Sequence, residues 1–92
     1  IDNVRDVWGL PCLVSINHRA EDSAAEVKWL RERATHHGVK VILARHYAEG
    51  GKGAVDVAKE VVELCEHPNY FKFTYEEKDT LWDKMKAVAT KI

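Results

Sequence analysis

The chain has 92 residues, of which 46% are hydrophobic and 32% charged, a composition typical of one small globular domain. Its formal net charge of −1, with acidic and basic residues interspersed, provides no basic field for nucleic acid or for an anionic membrane surface. No apolar run approaches the length of a membrane span and no signal-peptide pattern opens the chain, so we expect neither nucleic acid nor a membrane as a partner.

The end of a helix followed by a strand is the first predicted pair of elements. Residues 1–7 have the pattern of a helix end, which Gly9 can cap and Pro11 cannot continue. Residues 10–17 contain a short, nearly continuous apolar run, which is typical of a strand covered on both faces.

A helix is predicted over residues 24–36. Ser23 precedes Glu26 by three positions, which is the spacing of a capping box, and Gly38 suits the end of the helix. The residues predicted to face inward are Ala24, Val27, Leu30 and Ala34.

A second strand over residues 39–44 completes a strand–helix–strand unit, which implies parallel pairing. A helix over residues 54–66, a strand or extended segment over residues 70–75 and a final helix capped by Thr80 and Asp83 follow. The apolar stripe of the final helix consists of Leu81, Met85, Val88 and Ile92.

These elements predict an α/β fold, a small three-layer Rossmann-like fragment with a short parallel sheet, a βαβ unit and flanking helices. We expect residues 1–92 to form a single domain. The chain starts without Met and ends on an amphipathic helix, so we expect an excerpt of a longer or an engineered protein.

The two cysteines, Cys12 and Cys65, each lie among apolar residues and are predicted to be small buried side chains rather than a disulfide. This use of cysteine indicates a reducing compartment, and we expect the protein to be cytoplasmic.

Three glycines and a lysine crowd residues 46–53, which follow the second predicted strand. Glycine lets the backbone pass close to a ligand, and ligands of open α/β sheets bind beyond the carboxyl ends of parallel strands. The spacing is not that of a phosphate-binding loop, because Ala54 stands where the metal-binding hydroxyl would be. The pattern leaves open whether this segment is a structural turn or a ligand loop in which Tyr47 stacks on a planar ligand.

Metal and nucleophile sites have little support in the sequence. His18 and His46 follow the two predicted strands, but no third ligand accompanies them. Cys12 lies at the opposite end of its strand, which separates it from both histidines. We therefore predict no metal site and no catalytic residue in this chain.

Four segments, in order and over essentially the whole chain, resemble the formate–tetrahydrofolate ligases, also called 10-formyltetrahydrofolate synthetases. No one of them is specific, but the four in order are. They are Trp8-Gly9-Leu10-Pro11 leading to Ser15-Ile16-Asn17, Glu21-Asp22-Ser23-Ala24-Ala25-Glu26, His46-Tyr47-Ala48-Glu49-Gly50-Gly51-Lys52-Gly53-Ala54, and Phe71-Lys72-Phe73-Thr74-Tyr75 with Asp83-Lys84-Met85 to Thr90-Lys91-Ile92.

The resemblance implies a segment of a far longer enzyme, which couples ATP cleavage to formylation of tetrahydrofolate through formyl phosphate. ATP, magnesium and tetrahydrofolate are its cofactors and substrates. Its phosphate loop lies upstream of the matched region, so the resemblance implies no cofactor in this fragment and no activity for the fragment alone.

The resemblance also implies that this segment lines the folate pocket. Arg19 and Tyr47 stand where relatives carry Phe and Trp, the two residues expected to sandwich the folate rings. Asn17 and the backbone of Gly50 and Gly51 would supply hydrogen bonds.

Three functions therefore remain open. The first is a folate-pocket segment that binds tetrahydrofolate weakly. The second is an engineered scaffold whose former ligand face binds a protein partner, since Arg and Tyr are favoured at interface hot spots. The third is an α/β domain without activity of its own.

Overall fold

The computed structural model describes all residues, 1–92, and divides them into two compact units. One unit consists of Ile1–Pro11 and Pro68–Ile92, and the other of Cys12–His67. That the 92 residues form a single domain stays a prediction.

The unit Cys12–His67 is a strand–helix–strand arrangement followed by further helices. Strands β1 and β2 pair in parallel, in register from Leu13 opposite Lys40 to Asn17 opposite Ala44. This pairing confirms the predicted parallel βαβ unit. The elements are β1 (Leu13–Asn17), α1 (Ala24–His36), β2 (Lys40–Ala44), α2 (His46–Glu49), a 3-10 turn (Gly50–Ala54) and α3 (Val55–Cys65).

With α4 (Leu81–Lys91) in the other unit, the chain is a small mixed α/β protein with four α-helices and a two-stranded parallel sheet. Helices α1 and α3 both pack against β2, and α3 also contacts β1. The finer prediction of a three-layer Rossmann-like arrangement stays a prediction.

Helix α1 begins and ends as its sequence predicts. The Ser23 hydroxyl accepts from the backbone N–H of Glu26 at 3.2 Å, and the Ser23 N–H donates to the Glu26 carboxylate at 2.8 Å. This reciprocal pair is the complete capping box. At the other end the Gly38 N–H donates to the Thr35 carbonyl at 2.8 Å, which satisfies one of the last carbonyls of the helix.

Strand β1 begins at Leu13, three residues later than predicted. The Leu10 N–H donates to the Val4 carbonyl at 3.0 Å, and Pro11 has no N–H to offer a partner strand. The backbone before Cys12 therefore forms its hydrogen bond with the preceding helical turn and cannot pair with the sheet.

The buried core is small and lies in the unit Cys12–His67; its buried apolar residues are Ile16, Ala34, Val39 and Ala44. Of the residues predicted to face inward on α1, Ala34 is buried and Val27 half-buried, whereas Ala24 and Leu30 are exposed. The amino-terminal half of α1 lines an open apolar groove with β1, because a two-stranded sheet is too narrow to cover the whole helix face.

The unit Ile1–Pro11 with Pro68–Ile92 is held by backbone hydrogen bonds between its two segments. The N–H groups of Tyr70 and Lys72 donate to the carbonyls of Gly9 and Trp8 at 2.9 and 3.1 Å. The Trp8 indole N–H donates to the Thr74 hydroxyl at 2.9 Å. Residues 70–75 form no strand, and of the two predicted alternatives, a strand or an extended segment, the strand is wrong.

Two helical elements flank these hydrogen bonds. Asn3–Val7 is a π-helical turn, and the Trp8 N–H donates back to the Asn3 carbonyl at 3.0 Å. In α4 the Thr80 hydroxyl accepts from the Asp83 N–H at 3.2 Å, which confirms the predicted cap. The whole apolar stripe of α4 is exposed: Leu81, Met85, Val88 and Ile92.

The prediction that both cysteines are buried is wrong. Cys12 is half-buried and Cys65 is exposed, and neither forms a disulfide. Cys65 is the last residue of α3, where the narrow sheet leaves the helix face uncovered. A cytoplasmic location stays a prediction.

None of the helices has the length and apolar character needed to cross a membrane.

Candidate functional site

Arg19 and Tyr47 meet at the carboxyl ends of the two strands. The guanidinium carbon of Arg19 lies 5.3 Å from the centre of the Tyr47 ring, which is a cation–π distance. Tyr47 is 74% exposed, so the ring and the guanidinium form an accessible surface rather than a core contact. The two segments that the sequence places at one crevice therefore do come together.

The pairing of the strands explains why these segments are neighbours. The His18 N–H donates to the Ala44 carbonyl at 3.0 Å, which continues the sheet one residue beyond the end of β1. Arg19 follows at once, and Tyr47 lies three residues after Ala44. Parallel strands end at the same edge of a sheet, so both connections emerge there.

A tight turn holds the Arg19 backbone. Its N–H donates to the Asp22 carboxylate at 2.8 Å, and the Asp22 N–H donates back to the Arg19 carbonyl at 3.1 Å. The Asp22 carboxylate therefore serves the backbone of Arg19 and not its guanidinium. The ring of Tyr47 is the neighbour that the structure gives to the positive charge.

The segment that carries Tyr47 has regular helical structure where the sequence predicted a loop. It consists of the single helical turn α2 and the 3-10 turn Gly50–Ala54, which leads directly into α3. Gly50 ends α2 with φ of +64°, and its N–H donates to the His46 carbonyl. Short helical turns were missed because four residues are too few to show a hydrophobic period.

The other predicted site residues are Asn17, Gly50 and Gly51, and they do not belong to the contact of Arg19 with Tyr47. Asn17 is exposed and lines the groove between β1 and α1 together with Asp22 and Glu26. Gly50 and Gly51 are exposed, but the N–H of Gly50 is already used inside α2. Whether any of these residues contacts a ligand stays a prediction.

Sequence reasoning missed the importance of Gly53. Its carbonyl accepts from the Arg45 N–H at 3.0 Å, which ties the end of the glycine-rich segment back to the end of β2. A Cβ built on Gly53 would lie 2.5 Å from the Arg45 carbonyl oxygen. The only signal in the sequence was the density of glycines, which does not indicate at which of these positions a Cβ would not fit.

The chain brings together no three His, Cys, Asp or Glu side chains in a way that could hold a metal ion. The surface at the strand ends instead combines an aromatic plane, a guanidinium plane and the exposed amide of Asn17. Such a combination can stack on a planar ligand and donate or accept hydrogen bonds at its edge.

Comparison with known proteins identifies the family. The family model "Formate--tetrahydrofolate ligase" matches residues 1–92. The chain is 52% identical to the formate–tetrahydrofolate ligase of Methylibium petroleiphilum and 47% identical to that of Methylococcus capsulatus, over 100% of its length in both cases. It is 43% identical to the formate–tetrahydrofolate ligase of Symbiobacterium thermophilum over 98% of its length.

Each match covers only a small part of the relative. The chain spans 17% of the Methylococcus and Methylibium ligases and 16% of the Symbiobacterium ligase. Each match nevertheless covers 98% to 100% of this chain. The chain therefore belongs to the formate–tetrahydrofolate ligase family, as a segment of that longer enzyme.

Proposed function

We propose that this segment forms part of the folate-facing wall of an ATP-dependent formate–tetrahydrofolate ligase. The observation that carries the proposal is the contact of Arg19 with the exposed ring of Tyr47 at the carboxyl ends of two parallel strands. Tetrahydrofolate contains two flat aromatic rings, the pyrimidine ring of its pterin and the benzoyl ring, and the names of the relatives include tetrahydrofolate. Two flat side chains at the edge where α/β sheets bind their ligands suit such a molecule.

A ring of tetrahydrofolate would stack on the exposed Tyr47 ring, and the exposed Arg19 side chain, now 5.3 Å from that ring, would move outward to cover its other face. Tyr offers a π-face, and a guanidinium stacks on aromatic planes while it keeps its charge. The exposed amide of Asn17, which makes no hydrogen bond within the chain, would bind a polar edge of the ligand.

The expected affinity of the segment alone is low. Stacking contributes about 1 kcal/mol for each face and a hydrogen bond about 1 kcal/mol. The sum, about 3 kcal/mol, corresponds to a dissociation constant of about 6 mM. The rest of the pocket would have to come from other parts of the ligase.

The residues present do not fit the phosphates of ATP. The side of Gly53 that would carry a Cβ lies against the backbone of Arg45 and His46, so a phosphate cannot approach Gly53 from that side. Ala54 cannot offer a hydroxyl to a magnesium ion. We therefore assign ATP cleavage to other parts of the ligase, and we expect no ligase activity from this segment alone.

The exposed apolar surface supports the view that this segment works inside a larger protein. Large side chains lie uncovered in both units, among them Trp29 at 62% exposure and Phe73 at 81%. Apolar patches of this kind mark surfaces that bind other protein elements. No contact and no relative favours the alternative of an engineered protein-binding scaffold.

A titration followed by NMR tests the proposal. Tetrahydrofolate is added to the ¹⁵N-labelled chain up to several times the expected dissociation constant of about 6 mM. We expect saturable shifts at Asn17, Arg19 and Tyr47 and in the residues that follow Tyr47. Replacing Tyr47 by Leu should weaken binding about fivefold because it removes one stacking face.

Tyr70→Leu is the matched control, because Tyr70 is as exposed as Tyr47 but lies in the other unit. It should leave the titration unchanged. Arg19→Phe should strengthen binding, because the resemblance places an aromatic ring at that position. Absence of any saturable shift, or equal binding by the Tyr47→Leu variant, would refute the proposed function.

A further inference from the structure

Gly53 lies against the backbone at the end of β2, and it does so at a point where no side chain fits. A Cβ on Gly53 would lie 2.5 Å from the carbonyl oxygen of Arg45 and 2.8 Å from the nitrogen of His46. Every atom it would meet there belongs to the backbone, so no flexible side chain could move aside. The Arg45 N–H closes the contact by donating to the Gly53 carbonyl at 3.0 Å.

Gly51, two residues earlier, lies in a different environment. A Cβ on Gly51 would meet nothing within 4 Å, and its φ is not in the left-handed region. The two glycines share a turn and a residue type, but only one of them is required by the close approach. They therefore form a matched pair for substitution.

The Arg45–His46 peptide, against which Gly53 packs, leads directly into Tyr47. His46 is the first residue of α2 and Tyr47 the second, so a shift of this peptide rotates or translates the Tyr47 ring. The ring is 74% exposed, so few side-chain contacts could hold it in place. Its position opposite Arg19 must come from the backbone.

We propose that Gly53 is the positioning residue for the ring-stacking surface of Arg19 and Tyr47. By allowing the backbone to close on Arg45, it holds α2 where the Tyr47 ring faces the Arg19 guanidinium. The ligand class that depends on this position is a molecule with a flat heteroaromatic ring, such as the pyrimidine ring of a reduced pterin, and this part rests on the proposed function.

The test compares Gly53→Ala with Gly51→Ala in the full chain, with circular dichroism as the control for folding. The readout is the upfield ring-current shift that Tyr47 imposes on the Arg19 side-chain protons in NMR spectra. Gly53→Ala should remove this shift, whereas Gly51→Ala should keep it. A Gly53→Ala variant that keeps the shift overturns the proposal.

Ligand binding provides the second readout and separates the two proposals. Gly53→Ala should weaken tetrahydrofolate binding about fivefold through the loss of one stacked face, and Gly51→Ala should not. If the wild-type chain binds no tetrahydrofolate but the ring-current shifts behave as expected, the proposed function fails and the positioning role stands. If tetrahydrofolate binds and both variants bind it equally, the positioning role fails.

If the Gly53→Ala variant unfolds, a measurement on the wild-type chain tests the positioning role of Gly53. In a urea titration of the wild-type chain, the chemical shift of the Arg45 amide proton reports the fraction of molecules in which its hydrogen bond to Gly53 is open. The Arg19 ring-current shift should disappear with the same urea dependence. A shift that persists after the hydrogen bond has opened overturns the proposal.

Discussion

Replacing Gly9 by alanine should disrupt the unit formed by Ile1–Pro11 and Pro68–Ile92. Gly9 has φ of +67°, and a Cβ there would collide with the Tyr70 carbonyl oxygen and lie 2.8 Å from its carbon. An alanine in the left-handed region costs about 1 kcal/mol. Relief of the collision also breaks the hydrogen bonds that Tyr70 and Lys72 donate to the carbonyls of Gly9 and Trp8, at about 1 kcal/mol each.

The total of about 3 kcal/mol corresponds to a roughly hundredfold faster exchange of the Tyr70 and Lys72 amide protons. Hydrogen exchange followed by NMR measures it residue by residue. Gly38→Ala is the control, since Gly38 has φ of +70° but nothing within 4 Å of its Cβ position. It should cost only the left-handed penalty of about 1 kcal/mol, or roughly fivefold faster exchange of the amides beside it.

Exchange of the Tyr70 and Lys72 amides within about twofold of the wild-type rate in the Gly9→Ala variant would refute the reasoning. So would equal effects of Gly9→Ala and Gly38→Ala on their local amides, because of these two glycines only Gly9 lacks room for a Cβ.

Three further outcomes are expected. Ser23→Ala should destabilise the chain by about 1 kcal/mol in urea unfolding, because it removes the side-chain half of the capping box; no loss would contradict the cap. The pKa of Lys40 is raised above 10.5, chiefly by its hydrogen bond to the Glu60 carboxylate at 2.7 Å. The pair therefore stabilises the fold at neutral pH, and this contribution is lost as the pH rises through the raised pKa of Lys40. The urea midpoints of the wild type and of Glu60→Gln should therefore converge at that pH. A difference between the two midpoints that does not change with pH would contradict this role of the pair. Exposed Cys65 should react with a thiol reagent well before half-buried Cys12, and equal rates would contradict the accessibilities.

Elements with a local chemical cause could be predicted from the sequence. Ser23 with Glu26 and Thr80 with Asp83 begin helices through contacts between residues three apart, so the sequence carries the whole signal. The parallel pairing of β1 and β2 followed from the length of the helical connection between two apolar runs.

Burial could not be predicted in the same way, because it depends on how many elements cover a face. Leu30 and Cys65 lie on the apolar faces of α1 and α3, but a two-stranded sheet does not extend over them. The sequence pattern states which face is apolar; it does not state what covers that face.

The sequence predicted the two ring-stacking residues of the candidate site but not the glycine that the backbone packs against. Arg19 and Tyr47 were placed at one edge because parallel strands end together, and the structure brings them together. Gly53 was missed because its role depends on the backbone of Arg45, eight residues away and on another element. A close approach between backbones leaves no trace in a single sequence beyond the presence of a glycine.

The unit made of Ile1–Pro11 and Pro68–Ile92 can form only when the chain between these segments has closed as a loop. Closing a flexible loop costs conformational entropy that grows by about 0.6 kcal/mol for each doubling of its length. Folding of Cys12–His67 removes most of that cost, because Cys12 and His67 then line the same small cleft. The pairing of β1 with β2 thus shortens the effective loop, and weakening it should slow the assembly of a unit to which neither strand belongs.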